Sequence, residues 1–174
     1  MIGPVESAIL LEVPAAEPLV GALRLEGDVS ASLGVPAHVT LLYPFVDDPD
    51  DGVVEELRFF FERVEGFDLD LVSVGEFPEV VWLALEDPTV VHDLITALVR
   101  RWPDCPPYGG LFAVEDVVPH LTVVDTPDPA LRARATEVAA GLPIRTTVVE
   151  AALWVHEEGS PWRRLATFPL APPE

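Results

Sequence analysis

The sequence predicts an α+β fold of two duplicated lobes, with antiparallel sheets flanking a central cleft and helices on the outside. Apolar residues recur with a period of two in several short segments and with helical spacing in others, so strands and helices coexist. Paired strands follow one another with no helix between them, which a doubly wound parallel sheet does not do. Each half of the chain also repeats the same order of elements, and each carries a histidine and a threonine two residues apart. Residues 1–174 are therefore read as a single domain of two pseudo-symmetric lobes, with motif strands at 38–45 and 120–124.

Ser7 to Val13 is an apolar run closed by Pro14 and reads as a buried strand. Ala15 to Leu25 makes a short helix, since Pro18 is acceptable in a first turn, and Gly27 ends it. A loop with Gly34 and Pro36 leads to the strand His38 to Phe45, stopped by the acidic turn Asp47 to Gly52. Val53, Val54, Leu57, Phe60, Phe61 and Val64 recur at helical spacing. Phe67 to Val74 alternates as a half-exposed strand, and Val80 to Leu85 is a more buried one. In the second half, Thr89 to Trp102 is an amphipathic helix, Pro103 to Gly110 a loop, His120 to Val124 a strand and Pro129 to Ala140 a helix capped by Gly141. Ile144 to His156 and Trp162 to Leu170 read as strands.

Composition narrows the function. With 49% hydrophobic residues and a mean hydropathy of +0.32, the 174-residue chain is too apolar to be disordered. Cys105 is its only cysteine, so no internal disulfide is available. The apolar stretch from Ile9 to Leu25 is broken by Glu12, Pro14, Glu17, Pro18 and Arg24, well short of a membrane span. No basic residue precedes Arg24, so no secretory leader is expected, and the cytoplasm is the expected compartment. All ten basic residues are arginine, against thirty acids, for a net charge of −20. Such a surface repels an extended polyanion, so long nucleic acid is disfavoured as a partner while a small anion in a local pocket is allowed. A monomer with no membrane partner is expected.

Two segments carry the chemistry: Pro36-Ala37-His38-Val39-Thr40-Leu41-Leu42 and Val118-Pro119-His120-Leu121-Thr122-Val123-Val124. Side chains alternate along a strand, so His38 and Thr40 share one face, as do His120 and Thr122, with their apolar neighbours on the other. Duplicated lobes then present two imidazoles and two hydroxyls across one cleft. Histidine titrates near neutrality, so one imidazole can accept a proton while the second donates one. Threonine hydroxyls beside them can donate to the non-bridging oxygens of a phosphodiester, and charge developing on the phosphate meets imidazolium and oriented donors. This arrangement requires no metal or cofactor.

Paired H-x-[S/T] motifs, one in each half of a chain of this length, resemble those of the 2H phosphoesterase superfamily, and within it the 2′-5′ RNA ligase-like proteins. The strings H-V-T-L-L-Y-P-F, V-V-W-L-A-L-E and P-P-Y-G-G…V-P-H-L-T-V extend the resemblance from about Ser7 to Phe168. It implies two similar α+β lobes around a cleft, and metal-independent cleavage or reversible joining of RNA-type phosphodiesters, including 2′,3′-cyclic phosphates. It also implies His38 and His120 as acid and base and Thr40 and Thr122 as phosphate anchors. Where many members carry basic residues around the cleft, this chain has Asp47, Asp48, Asp50, Glu115, Asp116 and Asp125, so the expected substrate is a small nucleotide or RNA end.

Aromatic faces can stack on any nucleobase. Tyr43 and Trp82 are read as substrate-binding, and Phe45 and Phe112 as core. Tyr108 is a further aromatic candidate. His92 and His156 read as surface or packing residues. Arg163 and Arg164 are the basic pair left to reach a phosphate. Two competing readings keep the same residues: a non-catalytic nucleotide or RNA-end binding module, and a zinc hydrolase using His38, His120 and Asp125, which leaves both threonines unexplained.

Overall fold

The computed structural model describes residues 3–174. Strand β1 (Glu6–Glu12) puts Ile9 and Leu11 into the main core, while Ala8 and Leu10 on its other face join a second apolar cluster with Val35, Ala152 and Trp154. Helix α1 (Glu17–Gly27) has Pro18 in its first turn. It is followed by a short helix α2 (Val29–Ser32) where the sequence reads as loop. The Asp28 carboxylate nucleates it by accepting from the Ser30 N–H at 2.9 Å. Strand β2 (His38–Leu42) stops short of Phe45, because Pro44 has no N–H for a ladder bond. Helix α3 (Asp51–Phe61) begins earlier than the apolar spacing suggests, since Asp50 caps it by accepting from the Val53 N–H at 2.9 Å.

The remaining elements are β3 (Phe67–Phe77), β4 (Val80–Leu85), α4 (Thr89–Arg101), β5 (His120–Asp125), α5 (Pro129–Thr136), β6 (Ile144–Val148), β7 (Glu150–His156) and β8 (Arg163–Pro169). The expected helix to Ala140 tightens into a 3₁₀ turn after Thr136. The single strand expected from Ile144 to His156 is two. The chain leaves the sheet at Val149, which is 60% exposed; β6 pairs with β3, whereas β7 pairs with β1 and β8. Both stretches are extended, so a change of partner leaves no mark on the residue pattern.

All eight strands form one antiparallel sheet in the order β6-β3-β4-β5-β2-β1-β7-β8. Its central seam rests on a single residue pair, Val39 with Leu121, with four strands on either side. One half is the contiguous run β3 to β6; the other joins β1 and β2 to β7 and β8. The sheet curls far enough that the chain after β8 returns to the start of β3, where Gly66 N–H donates to the Ala171 carbonyl at 2.8 Å.

Helices cover one face: α1 lies on β5, α4 on β2, α3 on β8 and α5 on β4 and β5. Val39, Leu41, Leu121 and Val123 point to that side and are buried in one core with Leu57, Phe61, Ile95 and Leu98. Each such side chain contributes roughly 1.5–3 kcal/mol by leaving water. The motif positions between them point the other way. No helix among the described residues is long and apolar enough to cross a membrane.

Candidate active site

The seam between the sheet halves is also the centre of the site. β2 and β5 run antiparallel with Val39 opposite Leu121. Continuing that register by one residue each way brings Thr122 opposite His38 and His120 opposite Thr40, all on the face away from the core packed by α1, α3, α4 and α5. The two strands share one burial pattern, with histidine and threonine half-buried and the residues between and after them buried. Outside them, β1 places Leu10 beside Thr40 and Glu12 beside His38, while β4 places Trp82 beside Thr122 and Ala84 beside His120.

Both imidazoles are anchored alike. His38 Nδ1 lies 2.8 Å from the Pro36 carbonyl oxygen and His120 Nδ1 lies 2.7 Å from that of Val118. A carbonyl only accepts, so each Nδ1 carries the hydrogen and donates it. Among the described residues no protein group bonds Nε2 in either ring. Burial pushes His38 down to about 4, with Arg24 and His120 acting in the same direction and the Pro36 carbonyl and Asp28 opposing. Burial also lowers His120, opposed by the Val118 carbonyl. Both rings are therefore neutral at neutral pH in the free protein, and an anion placed between them would favour the protonated form of either.

The rings are backed differently. On the His38 side lies Arg24, only 2% exposed, which donates to the Val35 carbonyl at 3.1 Å, to Asp28 at 3.0 Å and to Ser30 Oγ at 3.3 Å. On the His120 side the ring stands edge-on to Phe77 and Trp82, at centroid distances of 5.3 and 5.7 Å. Trp82 also stacks on Phe77 at 4.8 Å, and a Cβ at Gly75 would collide with its ring. Trp82 therefore lines neither cavity beside the histidines, contrary to the expected stacking wall; it braces His120, and its indole Nε1 is buried without a partner. Arg24 and Phe77 escape a reading of the sequence, although Val20, Arg24 and Gly27 follow the spacing of the buried face of α1.

Two cavities flank the motifs and share Ser30, Thr40 and Tyr43. One, of about 410 Å³, opens from His38; the other, of about 710 Å³, opens from His120 and Thr122. Tyr43 therefore lies at their junction. Phe45 is core, as expected, but Phe112 is 49% exposed and lines the larger cavity with Tyr108, because the Pro/Gly-rich loop lifts it off the core. His156 takes the packing alternative of its expected roles. It lines the smaller cavity, bonded to Glu6 and stacked on Trp162. His92 packs as expected, its Nε2 bonding the Val114 carbonyl at 3.0 Å. Arg164 is held by Glu12 through two bonds, and no arginine lines either cavity. Asp125 lines the larger cavity, its carboxyl held up by burial and by Asp28 and Glu79. Among the described residues no three His, Cys, Asp or Glu side chains are grouped to hold a metal ion.

Comparison with known proteins bears on this geometry. A search of curated protein sequences finds no match. Among solved structures, E. coli LigT complexed with 3′-AMP superposes with a TM-score of 0.60 at 19% identity, over 97% of this chain and 99% of that one. A phosphoesterase superposes at 0.59 and 19%, over 97% and 99%. The protein TT0787 of Thermus thermophilus does so at 0.57 and 16%, over 97% and 100%. These likenesses are of the fold. The family model of the 2′-5′ RNA ligase superfamily matches residues 11–160, a span that contains both histidine–threonine strands and the seam joining them. The chain belongs to the 2′-5′ RNA ligase superfamily.

Proposed function

We propose that the protein is a metal-independent phosphodiesterase that opens 2′,3′-cyclic phosphates or cleaves 2′-5′ linkages in nucleotides and RNA ends, and that can run in reverse as a ligase. The observation that carries this reading is the antiparallel crossing of His38-Val39-Thr40 with His120-Leu121-Thr122, in which both Nδ1 atoms are occupied and both Nε2 atoms are free. One neutral Nε2 takes the proton from the attacking water while the other imidazole, protonated, gives its proton to the leaving sugar oxygen, so the pair ends with its protons exchanged. Thr40 and Thr122 donate to the non-bridging oxygens and hold the phosphorus between the rings.

With no arginine in either cavity, one phosphate is balanced by one imidazolium and neutral donors. A mononucleotide or short end suits this site better than a long strand. The E. coli LigT structures, captured with 3′-AMP and with ATP, are consistent with ligands of that size. Tyr43, at the junction of the cavities, contacts the substrate, and Trp82 acts through His120. The protein works as a cytoplasmic monomer, one domain whose two lobes are related about the Val39–Leu121 pair.

The test is turnover of nucleoside 2′,3′-cyclic phosphates and 2′-5′ dinucleotides by the purified chain, with and without chelator. Chelator-insensitive turnover that disappears in His38→Ala and His120→Ala is expected. Activity lost to chelator and restored by zinc would overturn the reading in favour of a metal hydrolase. Tight nucleotide binding with no turnover in either direction would leave only a binding module.

A further inference from the structure

On the cleft face of β1, Glu6, Ala8 and Leu10 succeed one another along the smaller cavity. Leu10 stands beside Thr40, so the cavity begins at the phosphate site, and Glu6 lies four residues further on. At the rise of an extended strand that is about 13 Å, the span of one nucleotide with the side chains that grip its ends. Ala8, Leu10 and Val35 make the floor apolar. Trp162 also lines the cavity, stacked on His156 at 5.0 Å and met edge-on by Tyr43 at 6.2 Å. The Trp162 N–H, bonded to the Leu33 carbonyl at 2.9 Å, ties the β7–β8 loop across the cavity. Apolar and aromatic walls of this kind favour a flat ring.

The polar group at the far end only accepts hydrogen bonds. Tyr43 OH donates to Glu6 Oε2 at 2.9 Å and His156 Nδ1 to Glu6 Oε1 at 2.8 Å, so the carboxylate is oriented from both sides. A carboxylate offers about four acceptor sites, and these two bonds leave one on each oxygen. Such a fork matches two adjacent N–H donors. Guanine alone among the common bases has them, at N1 and the 2-amino group; adenine places a lone pair at N1, and uracil and cytosine each offer a single donor position next to acceptors. The larger cavity, with Phe77, Tyr108 and Phe112, offers stacking but no comparably braced acceptor.

We infer that the His38-side cavity is a guanine subsite, and that Glu6, held by Tyr43 and His156, is its specificity-determining residue. This rests on the proposed phosphate site for the position of the other end of the nucleotide. Selection arises because guanine satisfies both free acceptor sites, whereas adenine leaves the carboxylate desolvated and facing a lone pair.

The test is calorimetric titration of the full chain with guanosine, inosine and adenosine 3′-monophosphates, alongside kcat/KM for the matching 2′,3′-cyclic phosphates. Guanosine should bind about 10- to 100-fold tighter than adenosine, the worth of a well-placed bidentate pair, with inosine between them because it keeps N1–H and lacks the amino group. Glu6→Gln, checked for an unchanged thermal midpoint, should lose that preference by weakening guanosine while leaving adenosine alone. Equal binding of guanosine and adenosine by the native protein overturns the inference, as does a Glu6→Gln variant that weakens both equally. The inosine comparison needs no variant and decides the matter if Glu6→Gln does not fold. Cyclic phosphates turned over without base preference would sink the subsite and leave the catalytic reading standing. Guanine-selective binding with no turnover would do the opposite.

Discussion

The two halves of the site carry the same motif on strands of the same burial pattern, with the same carbonyl bond to Nδ1, yet they sit in different surroundings. His38 is backed by the buried Arg24–Asp28 ion pair, and its proton affinity falls to about 4. His120 stands edge-on to Phe77 and Trp82, and burial lowers its proton affinity too. Burial is the main cause in both rings; at His38 the Arg24 guanidinium adds to it and the Asp28 carboxylate opposes it. The local motif thus orients a ring, and the tertiary surroundings set how readily it takes a proton.

The most severe way to break the comparison is to remove either ring. His38→Ala and His120→Ala should each lower kcat/KM on a cyclic phosphate by about 10²- to 10⁴-fold, and the double variant should lose little more, because the two act as a unit. Steady-state rates decide this, with His92→Ala near wild type as the control. One silent histidine would mean that the halves are not a pair.

Removing the support behind one half comes next. Arg24→Ala leaves Asp28 with no buried counter-ion and should cost about 3–5 kcal/mol of stability, read from the urea midpoint. A loss confined to activity would show instead that Arg24 serves His38 alone. Smaller again are Thr40→Val and Thr122→Val, each expected to raise the activation barrier by roughly 1–3 kcal/mol as one donor to a charged phosphate disappears. Equal losses would confirm that the register is matched across the seam; a silent threonine would place the phosphate off-centre.

The pH dependence sharpens the contrast without mutation. Native His38 stays neutral while the unfolded chain takes up a proton below the ordinary value of 6.5, so stability should fall as pH drops from about 6.5 towards 4. One proton limits that slope to about 1.4 kcal/mol per pH unit, and His38→Asn should flatten it. For turnover, both free-enzyme values lie below the ordinary one, so the bell in kcat/KM should centre on the acid side of 6.5, while kcat, which reports the phosphate-bound pair, should peak at higher pH. A profile that only rises with pH would point to a metal-bound hydroxide. The smallest effect is that of salt. A cyclic mononucleotide should outpace the same group on a long RNA at low salt, and the gap should narrow as screening shortens the reach of the acidic surface to roughly 8 Å.

The strands and helices that could be read in advance were those whose apolar period is local. β1, β4, β5 and α4 fall within a residue or two of expectation because burial on one face writes its own spacing. The division of Ile144 to His156 between opposite sides of the sheet was invisible, since an extended chain looks the same whichever neighbour it pairs with. His156 illustrates the same blindness at the level of function. It sits at a strand end ahead of two glutamates and a glycine, as a surface or packing residue would, and only pairing with Glu6 across 150 positions makes it part of a cavity wall.

By itself, the sequence determined the chemistry available to the molecule: two H-x-T strands with buried neighbours, a net charge of −20, and no lysine to track a polyanion. Alternation along a strand is enough to place His38 with Thr40 and His120 with Thr122. Only the tertiary structure decided that the motifs meet at a single residue pair, that Trp82 packs edge-on against His120, that Arg24 is buried near His38, and that Glu6 lines the cavity opening from His38. Side-chain periodicity is a property of neighbours in sequence. Register across a seam, burial of a charge and closure of a cavity depend on contacts between distant segments, which the folded sheet alone brings together.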